Sequence, residues 1–131
     1  MALLDELPRI HRFAFIGDID AARQCLLEGD DIDELISCET QSGHPMIFVS
    51  ALYLAAQQGN TEMCRFLVNQ GIDTTVKCYL PHSDEYSSPQ SIAMLYFRFA
   101  TWSYLKTLQA PQPNSSQKST EDVYKPLLSS S

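Results

Sequence analysis

Basic residues are scarce in this chain: nine Lys and Arg face sixteen Asp and Glu, leaving a formal net charge of −7 over 131 residues. A protein that neutralises phosphates needs the opposite balance, so nucleic acid is not expected as a partner. The same repulsion disfavours an anionic membrane surface. No apolar run approaches the roughly 20 residues that span a bilayer. The opening Met1-Ala2-Leu3-Leu4-Asp5-Glu6 is acidic, unlike a secretory signal. Glycine occurs only five times, and there is no G-x-S-x-G elbow, phosphate-cradling glycine loop or H-E-x-x-H. The four cysteines, Cys25, Cys38, Cys64 and Cys78, are widely spaced and form no CxxC. This predicts reduced thiols in a cytoplasmic compartment rather than a disulfide framework. What remains, 44% apolar residues on a chain of this length, suits one domain with a core of its own.

The informative feature is self-similarity. Residues 10–33 align with residues 52–74 at an offset of 42, pairing Ala14 with Ala56, Gly17 with Gly59, Asp20 with Glu62 and Gly29 with Gly71. Each copy reads as a short helix, a break of Gly plus a polar residue, and a second helix that stops at Gly. Asp18 and Asn60 stand where a helix N-cap belongs. Gly29 and Gly71 stand where the chain turns left-handed, a conformation that costs about 1–2 kcal/mol with a side chain. The small Ala14, Ala55 and Ala56 let neighbouring helices approach closely.

The stretch Ser50-Ala51-Leu52-Tyr53-Leu54-Ala55-Ala56, Ile10-His11 and the two glycines follow the pattern T-P-L-H-x-A-A-x-x-G-x-x-E-x-V-x-x-L-L-x-x-G-A-D. The chain thus resembles the ankyrin-repeat family. A weaker third copy begins at Ser88-Pro89-Gln90-Ser91-Ile92-Ala93, 38 residues after the second. The resemblance covers about residues 8–108, with repeats at about 8–33, 50–74 and 88–108, inside a domain of residues 1–109. It implies an all-α solenoid of helix-turn-helix units. The spacings exceed the family period of about 33 residues by about nine and five. The surplus falls in 34–49 and 74–87, where the family carries β-hairpin fingers, so elongated fingers are expected. His11 takes the L-H position, where the family's histidine satisfies backbone groups between repeats.

Phe97 replaces the mid-repeat glycine in the third copy, and Ile92, Leu95, Phe99, Trp102, Leu105 and Leu108 keep a helical stripe. The expectation is one long or two fused helices from Gln90 to Leu108, with Phe99 and Trp102 in the core. Terminal repeats are commonly atypical. At the other end Leu3, Leu4 and Leu7 are expected to cap the stack. From Ala110 the prolines and serines predict a flexible polar tail over 110–131.

Paired carboxylates occur in Asp30-Asp31-Ile32-Asp33-Glu34. Without two distinct environments they do not suggest acid–base catalysis, and without a spaced loop and central Gly they do not suggest a calcium site. They read as a solvated turn or as charge that steers a basic partner. Cys38 and Cys78 hold comparable places, each followed by a histidine, His44 and His82. Side-by-side fingers would bring together a zinc-type ligand set, but the spacing is irregular and no tight Cys pair supports it. No metal, cofactor or catalytic residue is therefore assigned, and no enzyme is expected.

The family resemblance leaves a binding surface. Its concave face implies exposed first-helix positions at Arg12, Phe15 and Ile16, at Leu54, Gln57 and Gln58, and at Ile92, Leu95 and Tyr96. The fingers add His44, Pro45, Met46 and Phe48, then Tyr79, Leu80, His82 and Tyr86. The expected function is recognition of a protein partner by these residues, with the chain a monomer or weak homodimer. Two alternatives share this fold: a translocated effector of an intracellular bacterium acting in the host cytosol, and a component that self-assembles through its aromatic C-terminal helix.

Overall fold

A computed structural model describes residues 6–40 and 42–109. Three helical hairpins follow one another: α1 (Arg9–Ile16) with α2 (Ile19–Leu27), α3 (Ala51–Gln58) with α4 (Thr61–Asn69), and α5 (Pro89–Leu95) with α6 (Phe99–Gln109). Between them run two β-hairpins, β1 (Ile36–Glu39) with β2 (Pro45–Val49) and β3 (Cys78–Leu80) with β4 (Glu85–Ser87). The strands join in one antiparallel sheet of order β1-β2-β3-β4. The elongated hairpin fingers expected between the repeats are present, and because their strands pair into a sheet the expected all-α class needs correction. The expectations for Met1–Asp5 and for 110–131 lie outside the described residues. Leu7 packs half-buried against the core.

Local chemistry sets the helix boundaries. Asp18 Oδ1 accepts from the Ala21 amide at 3.1 Å, Ser50 Oγ from Tyr53 at 3.1 Å, and Ser88 Oγ from Ser91 at 3.0 Å; each such cap contributes about 1 kcal/mol. Pro89 opens α5, where a missing N–H is harmless. The expected single C-terminal helix is two helices. Phe97 takes φ 60°, the left-handed conformation of Gly17 (φ 84°) and Gly59 (φ 75°), and its amide and that of Arg98 bond back to Met94 and Ala93. The break survives without the glycine that normally announces it.

The repeats are joined by contacts that recur in register. His11 Nε2 donates to the Val49 carbonyl at 3.0 Å, since a carbonyl can only accept. One repeat later, at the same position, the Tyr53 hydroxyl donates to Ser87 Oγ at 3.1 Å. The residue after each left-handed turn reaches back to the preceding hairpin. Asn60 Nδ2 donates to the carbonyls of Ala14 and Phe15 at 3.3 and 3.0 Å. Arg98 Nε donates to that of Gln57 at 3.1 Å. Asn60 is thus a bridge to the first repeat, and its side chain makes no cap bond to α4. On the second helices, the guanidinium of Arg23 lies 5.3 Å from the ring centre of Phe66, and that of Arg65 lies 4.4 Å from Tyr104.

These junctions explain the small residues. A Cβ on Gly17 would meet Asn60 Cγ at 3.2 Å, and one on Gly59 would meet Arg98 Cδ at 2.7 Å. Ala14, Ala56 and Ala93 are fully buried. The middle helix α3 packs against α1, α4 and α5, and all of Ala51 to Gln57 is buried.

Candidate functional site

The two fingers form one preorganised surface. Cys38 lies opposite Met46 and Ile36 opposite Val49, so β2 holds one residue more than β1 between those pairs. That extra residue makes a bulge, which bends the strand and re-aims side chains. Phe48 sits in it at φ 62° and is about half exposed. A bulky residue held left-handed with its ring in water is strained, and such strain concentrates at functional positions.

Across the sheet, Ile47 pairs with Tyr79 and Tyr79 with Tyr86. Directly opposed residues share a face, so these three lie in a row. The two tyrosine rings stand 5.0 Å apart. Tyr86 is exposed, while the Tyr79 hydroxyl donates to Asp84 at 2.7 Å; this bond, more than burial, raises the Tyr79 phenol above its ordinary pKa. At the finger tips the imidazoles of His44 and His82 stack at 4.1 Å with planes 19° apart. Both histidines are exposed. Met46 turns inward and is buried, contrary to the expectation that placed it on the binding surface, because its strand position alternates with Ile47.

The concave strip is narrower than expected. Leu54, Gln57 and Ile92 are buried, not exposed. The sequence pattern places them at the edge of each first helix, but successive first helices pack so closely that the neighbouring repeat covers them: α5 lies against α3, which carries Leu54 and Gln57, and α3 lies against α5, which carries Ile92. Gln57 illustrates this, with its amide directed to the Tyr96 hydroxyl at 3.4 Å. Phe15 is half-buried against the core. Arg12, also half-buried, lies over the Phe13 ring at 5.3 Å, and Gln58 is half-buried. Ile16, Leu95 and Tyr96 remain exposed. Phe99, expected in the core, is exposed, whereas Trp102 is half-buried beneath the Lys106 ammonium at 4.9 Å.

The acidic run is mainly architectural. Arg9 grips Asp30 with two bonds of 2.9 and 3.0 Å and reaches Glu28 at 2.7 Å. Those bonds raise the guanidinium's pKa and hold the Asp30 carboxyl below the usual range. Asp31 Oδ1 accepts from the Asp33 amide, and at the same position one repeat later Asp73 Oδ1 accepts from Thr75. Asp33 Oδ1 takes the Asp73 amide at 2.8 Å, tying one loop to the next.

All four thiols are free. Burial pushes Cys64 up to about 12 and Cys78 up to about 11, so they are poor nucleophiles at neutral pH. The fingers do lie side by side, yet among the described residues no group of three or more His, Cys, Asp or Glu is placed to hold a metal ion. Among those residues too, no helix is long and apolar enough to cross a membrane.

Residues 49–79 match the family profile of the ankyrin repeat, so the resemblance read from the residues is shown there. The fold is similar to the crystal structure of the human ASB11 ankyrin repeat domain, with a TM-score of 0.58 and 18% identity over 80% of this chain and 41% of that one. It is also similar to a chain in the complex of the Bd0816 predatory endopeptidase from Bdellovibrio bacteriovorus with immunity protein Bd3460. There the TM-score is 0.58 and the identity 16%, over 80% of this chain and 48% of that one. The chain spans less than half the length of these solved chains, and at such identities the likeness is one of fold. No curated protein matches.

Proposed function

We infer, from an ankyrin repeat at residues 49–79 set in an ankyrin-type stack, that this chain recognises a protein partner through its finger sheet and performs no chemistry. The ankyrin repeat is in general a protein–protein interaction module. The observation that carries the reading is Phe48, a strained and half-exposed aromatic beside the row of Ile47, Tyr79 and Tyr86. Aromatic side chains fixed in advance lose little entropy on binding and dominate interface energetics. The His44–His82 stack and the Tyr79–Asp84 bond hold the finger tips in place. Ile16 and Tyr96 extend the surface along the concave edge, with Arg12 and Gln58 beside them. The four free, largely buried thiols fit a reducing cytoplasm.

The test uses capture of partners from cell extract by the full chain, with Phe48→Gly and Tyr86→Ala as the comparison. Glycine keeps the left-handed backbone at position 48 and removes only the ring. A partner bound by the wild type should lose at least about tenfold in affinity to either variant, while circular dichroism and the melting midpoint stay unchanged. Equal affinity for the wild type and both variants overturns the finger surface.

A further inference from the structure

Each internal junction uses four positions that face the following hairpin, and the third repeat changes all four. Ser91, exposed, stands where His11 and Tyr53 make their bonds, and Met94, also exposed, stands where Ala14 and Ala56 are buried. Ser103 stands where Arg23 and Arg65 reach the next aromatic ring. Phe97 replaces Gly17 and Gly59, whose missing Cβ atoms leave room for Asn60 and Arg98. A fourth hairpin in the same register would have to place its own bridging side chain where the Phe97 side chain already is. The end of the stack is therefore closed to another repeat, including the first repeat of a second molecule added head to tail.

The same end is apolar. Leu95 is 68% exposed, Phe97 75% and Phe99 58%, and the rings of Phe97 and Phe99 meet edge to face at 6.1 Å. With Met94 they offer on the order of 400 Å² of apolar surface. Residues 86–109 contain Arg98 and Lys106 but no Asp or Glu, while residues 1–40 hold ten acids against three arginines. The charge that keeps two molecules apart is thus concentrated elsewhere, and the two cations of this segment are directed to Gln57 and Trp102. Two copies of this face meeting about a two-fold axis would bury about 800 Å² in total, below the roughly 1,200–2,000 Å² of a stable complex.

We propose that the Met94–Phe99 face is a self-association surface, on which a second copy of this chain docks symmetrically to form a weak, closed dimer. This goes beyond partner recognition by the fingers: the Met94–Phe99 face shares Tyr96 with the recognition surface but not Phe48 or Tyr86, and neither proposal requires the other.

Sedimentation velocity of the full chain from micromolar to millimolar concentration tests it. The expected result is a concentration-dependent shift that stops at the dimer and is little affected by added salt. Phe97→Gly is the informative variant, because glycine suits the left-handed backbone and removes the ring without endangering the fold. It should weaken dimerisation by at least about tenfold with no loss of thermal stability. Leu95→Glu, which introduces a carboxylate on both sides, should abolish it. A chain that stays monomeric throughout, one that grows beyond a dimer, or a Phe97→Gly variant that dimerises like the wild type overturns the proposal.

Discussion

The two faces of the third hairpin differ sharply. Toward the second repeat it offers Arg98, Thr101 and Tyr104, which meet Gln57, Thr61 and Arg65 in bonds or ring contacts. On its outer face Ser91, Met94, Phe97 and Ser103 stand where the second repeat carries Tyr53, Ala56, Gly59 and Arg65, and no hairpin follows among the described residues. Stacking in this fold is therefore specified by a few residues on each surface rather than by helical content. A solenoid's stability is approximately a sum of unit and nearest-neighbour terms, so changes on the inner face should cost far more than changes on the outer one.

The widest gap is expected between Tyr53→Ala and Ser91→Ala, which truncate the same position in adjacent repeats. The first removes a buried ring and its bond to Ser87 and should cost roughly 3–5 kcal/mol. The second should stay within about 0.5 kcal/mol. Urea unfolding of the two variants reads the difference, and equal losses would mean that place in the stack, inner junction or outer end, does not set the energy.

A smaller contrast with opposite signs is expected at the left-handed turns. Gly59→Ala adds backbone strain and a Cβ against Arg98, for a loss of about 2 kcal/mol. Phe97→Gly relieves strain and should gain about 0.5–1 kcal/mol. The same unfolding measurements decide whether Phe97 is tolerated or required by the fold.

The smallest effect concerns pH. His11 is buried, its Nδ1 has no hydrogen-bond partner among the described residues, and burial lowers its pKa below the ordinary value of 6.5. Below that value the unfolded chain takes up a proton that the folded chain resists, so this contribution to stability falls as the solution is acidified from pH 7 toward 5. Tyr53, its counterpart in the second repeat, cannot respond in that range, because burial raises its phenol well above neutral pH. His11→Gln should flatten the dependence of the melting midpoint on pH between 7 and 5. An unchanged slope would assign the acid sensitivity to other groups.

The repeats were legible because their signals are local. Glycines at helix ends, the aspartate cap at Asp18, and alanines at close approaches each need only a few neighbours along the chain. The break within the third repeat was hidden, since Phe97 keeps the apolar pattern and only its backbone conformation reveals the turn. Burial of Leu54, Gln57 and Ile92 was hidden for another reason: it depends on how near the neighbouring first helix comes, which a single-helix pattern does not contain. The bridges of Asn60 and Arg98 end on backbone carbonyls, which no residue identity marks. The left-handed Phe48 left no signal either, because a bulge depends on the register between two strands.

Four side chains, Ser91, Met94, Phe97 and Ser103, separate the last hairpin's outer surface from the one its predecessor turns toward it. Growth of such an array is then a matter of editing one terminus: tyrosine, alanine, glycine and arginine at these places would recreate a socket. Conversely, one aromatic ring in place of a glycine is enough to fix where the array stops.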